Sequence, residues 1–444
     1  MTKLILIDFD DTILDQSLFR SSYPDSVFVS RSSLEAEFKN YSYSYATKIT
    51  EFCLQLNNQK GYPLYKSLIR SCANRHYSYS YLLFGDLTEN ITLLSSFAYD
   101  FLSKNSPDHV IFSNIPHEPY EISIAFICHV MGIPSYSFYH VGGYLPNFVT
   151  LYKNAPFNQT LVRTYGNIRA KNLSILQTLN SIDSNTVPFY VPKSSSNLLS
   201  QVLRSIFWHS RSLVSSFRHF SLFNVFYSIL ALSKALACIS FVMLRKRHIY
   251  CAPFNIFEDY IYLPLQYEPE LASSIPHNTD ILSSYSLLLT ARQKFSSSIP
   301  IVIRENPAQY LGSRNIEFYK FISQLSNVFI DNKHTHSQLL SCSLAVVVGR
   351  STPGLEALLQ GKPVFSAFKS QWYYEALSQD ICSYAEISID DIKGIKKFTP
   401  KDISFCLASR LHYFFTDPCY ARQYSQYSKT ANTTLIAQSL RTFI

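Results

Sequence analysis

At 444 residues, 47% hydrophobic and 16% charged, the chain is long enough for two or three domains and too apolar to be disordered. A net charge of +8 suits anionic ligands or an acidic membrane surface and is too diffuse for a nucleic-acid binder, so no nucleic-acid partner is expected. The nine cysteines include no C-x-x-C pair, which argues against a structural zinc site and for free thiols in a reducing compartment. The opening MTKLILIDFDD turns acidic too soon for a signal peptide, and a cytoplasmic location is expected.

Leu4–Ile7 reads as a strand, and Asp8-Phe9-Asp10-Asp11-Thr12 follows it directly. This LILIDFDDTIL stretch resembles the first motif of haloacid-dehalogenase-type phosphatases. That resemblance implies Asp8 as nucleophile, Asp10 as acid/base and a magnesium ion. Ser113 can pass for the second motif, but no lysine motif or later acidic pair follows. The plainer alternative is a Rossmann-like first strand whose aspartates cap the next element. Residues 17–105 read as mostly helical. Val110–Phe112 is a strand, Tyr120–Met131 a helix and Ser135–Phe138 a strand, with Gly132-Ile133-Pro134 between the last two, which makes a βαβ unit. His117 and Glu118 fall in its ligand-facing loop, with helix capping as the alternative role.

Residues 150–195 are polar and read as connections. Ser196–His219 has the spacing of an amphipathic helix carrying Arg204, Arg211 and Arg218, and Phe220–Leu244 is nearly all apolar before Arg245-Lys246-Arg247. Lys234 near the middle opposes spanning, since a central lysine costs about 2.5–3.5 kcal/mol on insertion scales. The segment is therefore expected to lie between domains or against an anionic membrane face, with two ordinary buried helices as the alternative.

From Cys251 onward the pattern is regular. Tyr260–Leu265, Ile301–Ile303, Val328–Ile330, Ala345–Val348 and Pro363–Phe365 are short apolar runs separated by helical spacing, which predicts βα units around a buried parallel sheet. Ligands of such sheets bind beyond the carboxyl ends of the strands. Gln266 and Glu268 follow the first run, Arg304-Glu305-Asn306-Pro307 the second, and Gly349-Arg350-Ser351-Thr352-Pro353-Gly354 the fourth. A turn of small hydroxyl and glycine residues opening a helix leaves N–H groups and a positive dipole end for phosphate, or else simply caps the helix. Asp402–Phe415 and Ala421–Phe443 read as helices.

Three groups of residues then stand in one order: LPLQYEPE at 263–270; Arg304-Glu305-Asn306-Pro307 with Arg314, Phe318 and Tyr319; and Ser351-Thr352-Pro353-Gly354-Leu355-Glu356-Ala357 with Gly361-Lys362-Pro363-Val364. Together they resemble the capsule polysaccharide biosynthesis family, whose Kdo transferases have a GT-B fold. The resemblance is strongest over residues 255–375 and weaker over 105–140. Two departures stand out: Asn306 replaces the histidine of the family's Glu-His-Pro, and Ser351-Thr352-Pro353-Gly354 replaces Gly-Thr-Ala-Gly. The first removes a group able to carry positive charge near a nucleotide phosphate, so CMP-Kdo is not assigned as the donor.

The resemblance implies an α/β protein of GT-B type: two Rossmann-like domains facing a cleft, a helical linker, and C-terminal helices packing across. The expected divisions are 1–195, 196–250, 251–415 and 416–444. The implied activity is transfer of a sugar from a CMP-, UDP- or other nucleotide-linked donor to a glycan or lipid-linked acceptor. No tightly bound cofactor or metal is required by it. Donor binding falls to Gln266, Glu268, Arg304, Glu305, Asn306, Arg314, Ser351, Thr352, Gly354, Glu356 and Lys362; the base that deprotonates the acceptor falls to Asp8, Asp10, His117 or Glu118. Expected partners are the nucleotide sugar, the glycan acceptor, an anionic membrane surface and capsule assembly proteins, at the inner face of the cytoplasmic membrane. The competing readings are the magnesium phosphatase and a non-catalytic scaffold in capsule assembly.

Overall fold

The structure is a computed structural model that describes residues 2–9, 11–41, 87–116, 118–141, 148–155, 158–162, 168–180, 222–244, 259–266, 284–306, 316–331, 333–349, 351–366, 374–415 and 427–444, with isolated positions between them. The chain divides into two compact units, one from the described residues of 1–178 and 404–444, the other from those of 179–273 and 281–403. Each is a Rossmann-like α/β unit with its own sheet.

In the first unit β1 (Leu4–Ile7) is wholly buried, as a run of Leu and Ile in a parallel sheet must be. It lies between β2 (Val27–Val29) and β3 (His109–Phe112), parallel to both. β4 (Ser135–His140) continues the parallel set beyond β3, and β5 (Phe148–Ala155) then runs antiparallel to β4 and to β6 (Asn158–Leu161). Helices α1 (Gln16–Ser22), α2 (Arg31–Asn40), α3 (Leu87–Asn105), α4 (Pro119–Val130) and α5 (Ile168–Asn180) accompany these strands. The 150–195 stretch, expected as connections, thus holds most of β5, all of β6 and α5. β5 lies inside the sheet with Phe148–Tyr152 buried, but its apolar run begins before residue 150 and gives way to Lys153-Asn154, while β6 is short and polar. β2 is likewise only three residues long and was hidden inside the stretch read as helical.

The second unit begins with α6 (Leu222–Leu244), whose Cys238, Ile239 and Val242 join the core beneath the sheet. Its other side exposes Ile229, Leu230, Leu236, Met243 and Leu244. This segment is therefore one wall of the second unit. Among the described residues, no helix is long and apolar enough to cross a membrane. The basic helix expected over Ser196–His219 lies outside the described residues apart from Leu203, Ile206 and Phe207.

The second sheet is all parallel. Its strands are β7 (Ile261–Pro264), β8 (Ile301–Arg304), β9 (Val328–Ile330), β10 (Ala345–Val348), β11 (Val364–Ser366) and β12 (Gln379–Asp380), in the order β12-β11-β10-β7-β8-β9. Helices α7 (Ser284–Lys294), α8 (Ile316–Ile322), α9 (His336–Cys342), α10 (Thr352–Leu359), α11 (Ile389–Gly394) and α12 (Pro400–Ala408) alternate with or follow them. After α12 the chain forms β13 (Leu411–Tyr413), antiparallel to β5, so the helix expected to run to Phe415 is broken by a strand of the first sheet. Residues 404–444 belong with the first unit, ahead of the division expected at 415. There α13 (Lys429–Leu440) is pinned by Asn432, which donates to the Ile13 and Phe415 carbonyls and accepts from the Phe415 N–H at 2.7 Å. Ile436 and Leu440 complete the core around Leu4, Leu6 and Ile111.

Candidate functional site

Both sheets have a topological switch point, where neighbouring strands connect in opposite directions and a crevice opens at their carboxyl ends. In the second sheet β7 lies between β8 and β10. Gln266 follows β7, Arg304 ends β8, and Ser351 precedes α10 after β10. Glu356, on the first turns of α10, is 7% exposed, and its Oε2 pairs with Nε2 of His336 at 2.5 Å. Nδ1 of His336 meets the Tyr262 hydroxyl at 2.7 Å. Arg304 donates to the carbonyl of His334, whose Nδ1 pairs with the buried Asp331 at 2.8 Å. Thr335 and Gln338 exchange backbone N–H bonds in a capping box that fixes the start of α9 and hence the position of His336.

Ser351 is the N-cap residue of α10, yet its side chain makes no capping bond and its Oγ is buried with no hydrogen-bond partner among the described residues. Tyr374 closes over this turn, donating to the Ser351 carbonyl at 2.7 Å. A Cβ on Gly354 would lie 2.4 Å from the Tyr374 hydroxyl oxygen. Gly354 therefore admits the tyrosine, which is the role of close packing. Thr352, half-buried, opens the helix beside it. Asn306 lies in a turn, its carbonyl accepting the Gln309 N–H at 2.9 Å.

Three of the expected donor ligands have partners within the second unit. The Arg314 side chain is fully buried and donates to Glu305 at 3.0 and 3.3 Å, to the Gln266 carbonyl at 3.0 Å and to Ser284 Oγ at 2.5 Å. Glu305 also accepts from the Tyr319 hydroxyl at 3.0 Å. Arg314 and Glu305 form an internal strut that ties the ends of β7 and β8 to α7 and α8, and their charges neutralise each other. Lys362 is held at the other end of the sheet. It precedes β11 and donates to the Ser343 carbonyl, just ahead of β10, so it lies at the amino end of the sheet, away from Ser351 and Arg304. Burial lowers its ammonium pKa.

In the first sheet the switch point falls at β1, between β2 and β3. Asp8 follows β1 with a left-handed backbone, φ 61°, uncommon for a residue with a side chain. Arg31, at the start of α2, donates to Asp8 Oδ2 at 2.8 Å and to Glu121 Oε1 at 3.1 Å, and lies 3.9 Å from Glu118 Oε1. Glu121 in turn accepts the Glu118 N–H at 3.2 Å, fixing the start of α4. Burial opposes the charge on Arg31, but the carboxylates of Glu121, Asp8 and Glu118 outweigh it and hold the guanidinium above its ordinary pKa. The Asp8 side chain is 35% exposed and that of Glu118 7%, so Asp8 is the accessible carboxylate. Arg31 occupies Oδ2 of Asp8, and among the described residues no group of three His, Cys, Asp or Glu could hold a metal ion. Asp10, His117 and Glu268 lie outside the described residues.

Sequence reasoning missed Arg31, Tyr262, His336 and Tyr374. Arg31 follows the short strand that was not seen; the Thr335-x-x-Gln338 capping pattern was the only available pointer to His336.

No protein-family model matches the chain, and no curated protein matches it by sequence. Among solved structures it is similar at 12% identity to Thermosulfurimonas dismutans KpsC, beta Kdo 2,7 transferase, over 93% of this chain and 92% of that one, TM-score 0.34. It is similar at 12% identity to the KpsC beta Kdo 2,4 transferase of the same organism, over 69% of this chain and 82% of that one, TM-score 0.30. A third similarity, at 12% identity over 100% of both chains and TM-score 0.26, is to UDP-GlcNAc 2-epimerase from Neisseria meningitidis bound to UDP-GlcNAc. Identities and scores this low establish neither a family nor an activity.

Proposed function

We propose that this protein is a glycosyltransferase of surface-polysaccharide biosynthesis that moves a sugar from a nucleotide-linked donor to a glycan or lipid-linked acceptor. The observation that carries the reading is the second switch point, where Ser351 and Thr352 at a helix start, Glu356, Gln266 and Arg304 gather at the carboxyl ends of β7, β8 and β10. Donor phosphate belongs at the start of α10, where N–H groups, the dipole and the Arg304 charge stabilise the leaving group as the glycosidic bond breaks. The Tyr374 hydroxyl gives up its contact with Ser351 to admit it. Glu356 accepts from the ribose hydroxyls, and Gln266 faces the base or sugar.

The acceptor hydroxyl oxygen bonds to the anomeric carbon, the bond from that carbon to phosphate oxygen breaks, and the acceptor proton passes to a general base, for which Asp8, oriented by Arg31, is the candidate. The motifs at 263–270, 304–307 and 351–364 resemble those of the capsule polysaccharide biosynthesis family, and that resemblance supports a capsule-type glycan as the acceptor. The exposed apolar side of α6 and the basic run Arg245-Lys246-Arg247 support peripheral contact with anionic lipid.

The test is a thermal-shift panel of CMP, CDP, UDP, GDP and their common sugar conjugates, with and without Mg²⁺. A nucleotide at about 100 times its dissociation constant adds roughly 2.7 kcal/mol of stability. One nucleotide should shift the melt, and Arg304→Ala should remove the shift. Silence across the panel, with stabilisation by Mg²⁺ and a phosphate mimic that depends on Asp8, overturns the reading in favour of a phosphatase.

A further inference from the structure

Glu356 does not stand alone at the start of α10. Its Oε2 is 2.5 Å from His336 Nε2, and His336 Nδ1 is 2.7 Å from the Tyr262 hydroxyl. The chemistry permits one arrangement of protons for a neutral ring. A carboxylate can only accept, so Nε2 carries the hydrogen and donates to Glu356; Nδ1 then accepts, and the tyrosine hydroxyl donates to it. Tyr262 is buried in β7 and burial pushes its phenol pKa up, so it keeps the proton this arrangement needs. The series Tyr262–His336–Glu356 crosses from the central strand, through the first residue of α9, to the first turns of α10.

We infer that His336 is a positioning residue for ligand recognition: it engages Oε2 of Glu356 so that Oε1 is presented in one fixed direction to a vicinal diol, the ribose hydroxyl pair of a nucleotide. Three features support this. The start of α9 is fixed by the Thr335–Gln338 capping box, so the ring has a rigid base. The His336 side chain is 27% exposed, so it borders the crevice and is not core. Among the described residues, Glu356 has no other side-chain partner, which leaves Oε1 for a ligand. A carboxylate held on one oxygen loses little freedom when the other accepts a hydroxyl, and that pre-organisation is what makes a polar contact discriminate. The inference rests on the donor reading above and adds the residue that determines how strictly a ribose is required.

The experiment compares binding of CMP, UDP and GDP with binding of their 2′-deoxy counterparts, by calorimetry, to the full-length protein and to His336→Phe, His336→Gln, Tyr262→Phe and Glu356→Gln. For the nucleotide that binds, the wild type should prefer the ribose form by about tenfold or more, the usual worth of a hydrogen bond to a charged group. His336→Phe should bring that ratio close to one while leaving affinity for the deoxy form unchanged, an outcome that general loss of structure does not produce. His336→Gln, whose amide N–H reaches toward Glu356, should restore much of the preference, and Tyr262→Phe should lose part of it. The Gln and Tyr262→Phe variants carry the test if the Phe variant does not fold. Loss of preference in Glu356→Gln with a wild-type ratio in His336→Phe overturns this inference and leaves the donor site standing. A wild type that binds no nucleotide overturns both.

Discussion

Replacing Arg314 by methionine separates a structural strut from a phosphate ligand. The guanidinium is fully buried, donates to two Glu305 oxygens, the Gln266 carbonyl and Ser284, and lies 5.2 Å from the Phe318 ring centre. Methionine fills much of the volume but leaves Glu305, 8% exposed, as a buried charge with the Tyr319 hydroxyl as its remaining hydrogen-bond donor among the described residues. Breaking a buried ion pair on one side costs about 3–5 kcal/mol, whereas replacing both partners with apolar groups is often close to neutral. Arg314→Met should therefore lose about 3–5 kcal/mol in urea denaturation followed by circular dichroism. Arg314→Met with Glu305→Leu should be more stable than Arg314→Met alone, a strongly non-additive pair. If Arg314→Met unfolds within about 1 kcal/mol of wild type and instead abolishes the nucleotide-induced melting shift, the strut argument is wrong and Arg314 is a ligand residue.

Other outcomes follow from particular contacts. Gly354→Ala places a methyl 2.4 Å from the Tyr374 hydroxyl oxygen and 2.7 Å from its Cζ, so a buried ring must move. Overpacking of this kind costs about 1–3 kcal/mol, against a gain of up to about 1 kcal/mol in helix propensity; a Tyr374→Leu background should relieve most of the loss, and a stabilised single variant would show that the ring does not sit there. His412 is buried, 6% exposed, with no hydrogen-bond partner for its Nε2 among the described residues, and burial, helped by Lys171, pushes its pKa down to about 3. The unfolded chain binds this proton near pH 6.5 and the folded one does not. The stability it contributes is complete above pH 6.5 and falls as pH drops toward 3, by about 1.4 kcal/mol per unit and roughly 2 kcal/mol by pH 5. Denaturation curves of His412→Phe should lose that part of the acid slope; an unchanged slope would count against it. Charge reversal of Arg245, Lys246 and Arg247 should release the protein from phosphatidylserine vesicles in a sedimentation assay, and undiminished binding would remove the membrane contact.

The sequence was most informative where strands are buried on both faces. Val328–Ile330 and Ala345–Val348 coincide with β9 and β10 because a parallel strand under helices must be apolar throughout. Chain direction then placed Gln266, Arg304, Ser351 and Glu356 at the carboxyl end of the second sheet, since each follows or ends such a run or opens the next helix. Edge strands left no comparable signal: Asn158–Leu161, Leu411–Tyr413 and Val27–Val29 are short or polar, and pairing with a distant partner makes them strands.

Side-chain roles were another matter. Asp8 and Arg31 are 23 residues apart, Gln266 and Arg314 48, and His336 and Glu356 20. Whether such pairs meet depends on strand order, and here β7 is inserted between β8 and β10 and β1 between β2 and β3. Periodicity in a sequence records which face of an element is buried, but not which element lies beside it. The sequence alone thus determined the α/β character and the end of the second sheet at which Gln266, Arg304, Ser351 and Glu356 lie. Only the tertiary structure decided that Arg314 braces that end from within, that Lys362 lies at the opposite end, and that Glu356 is paired with a histidine.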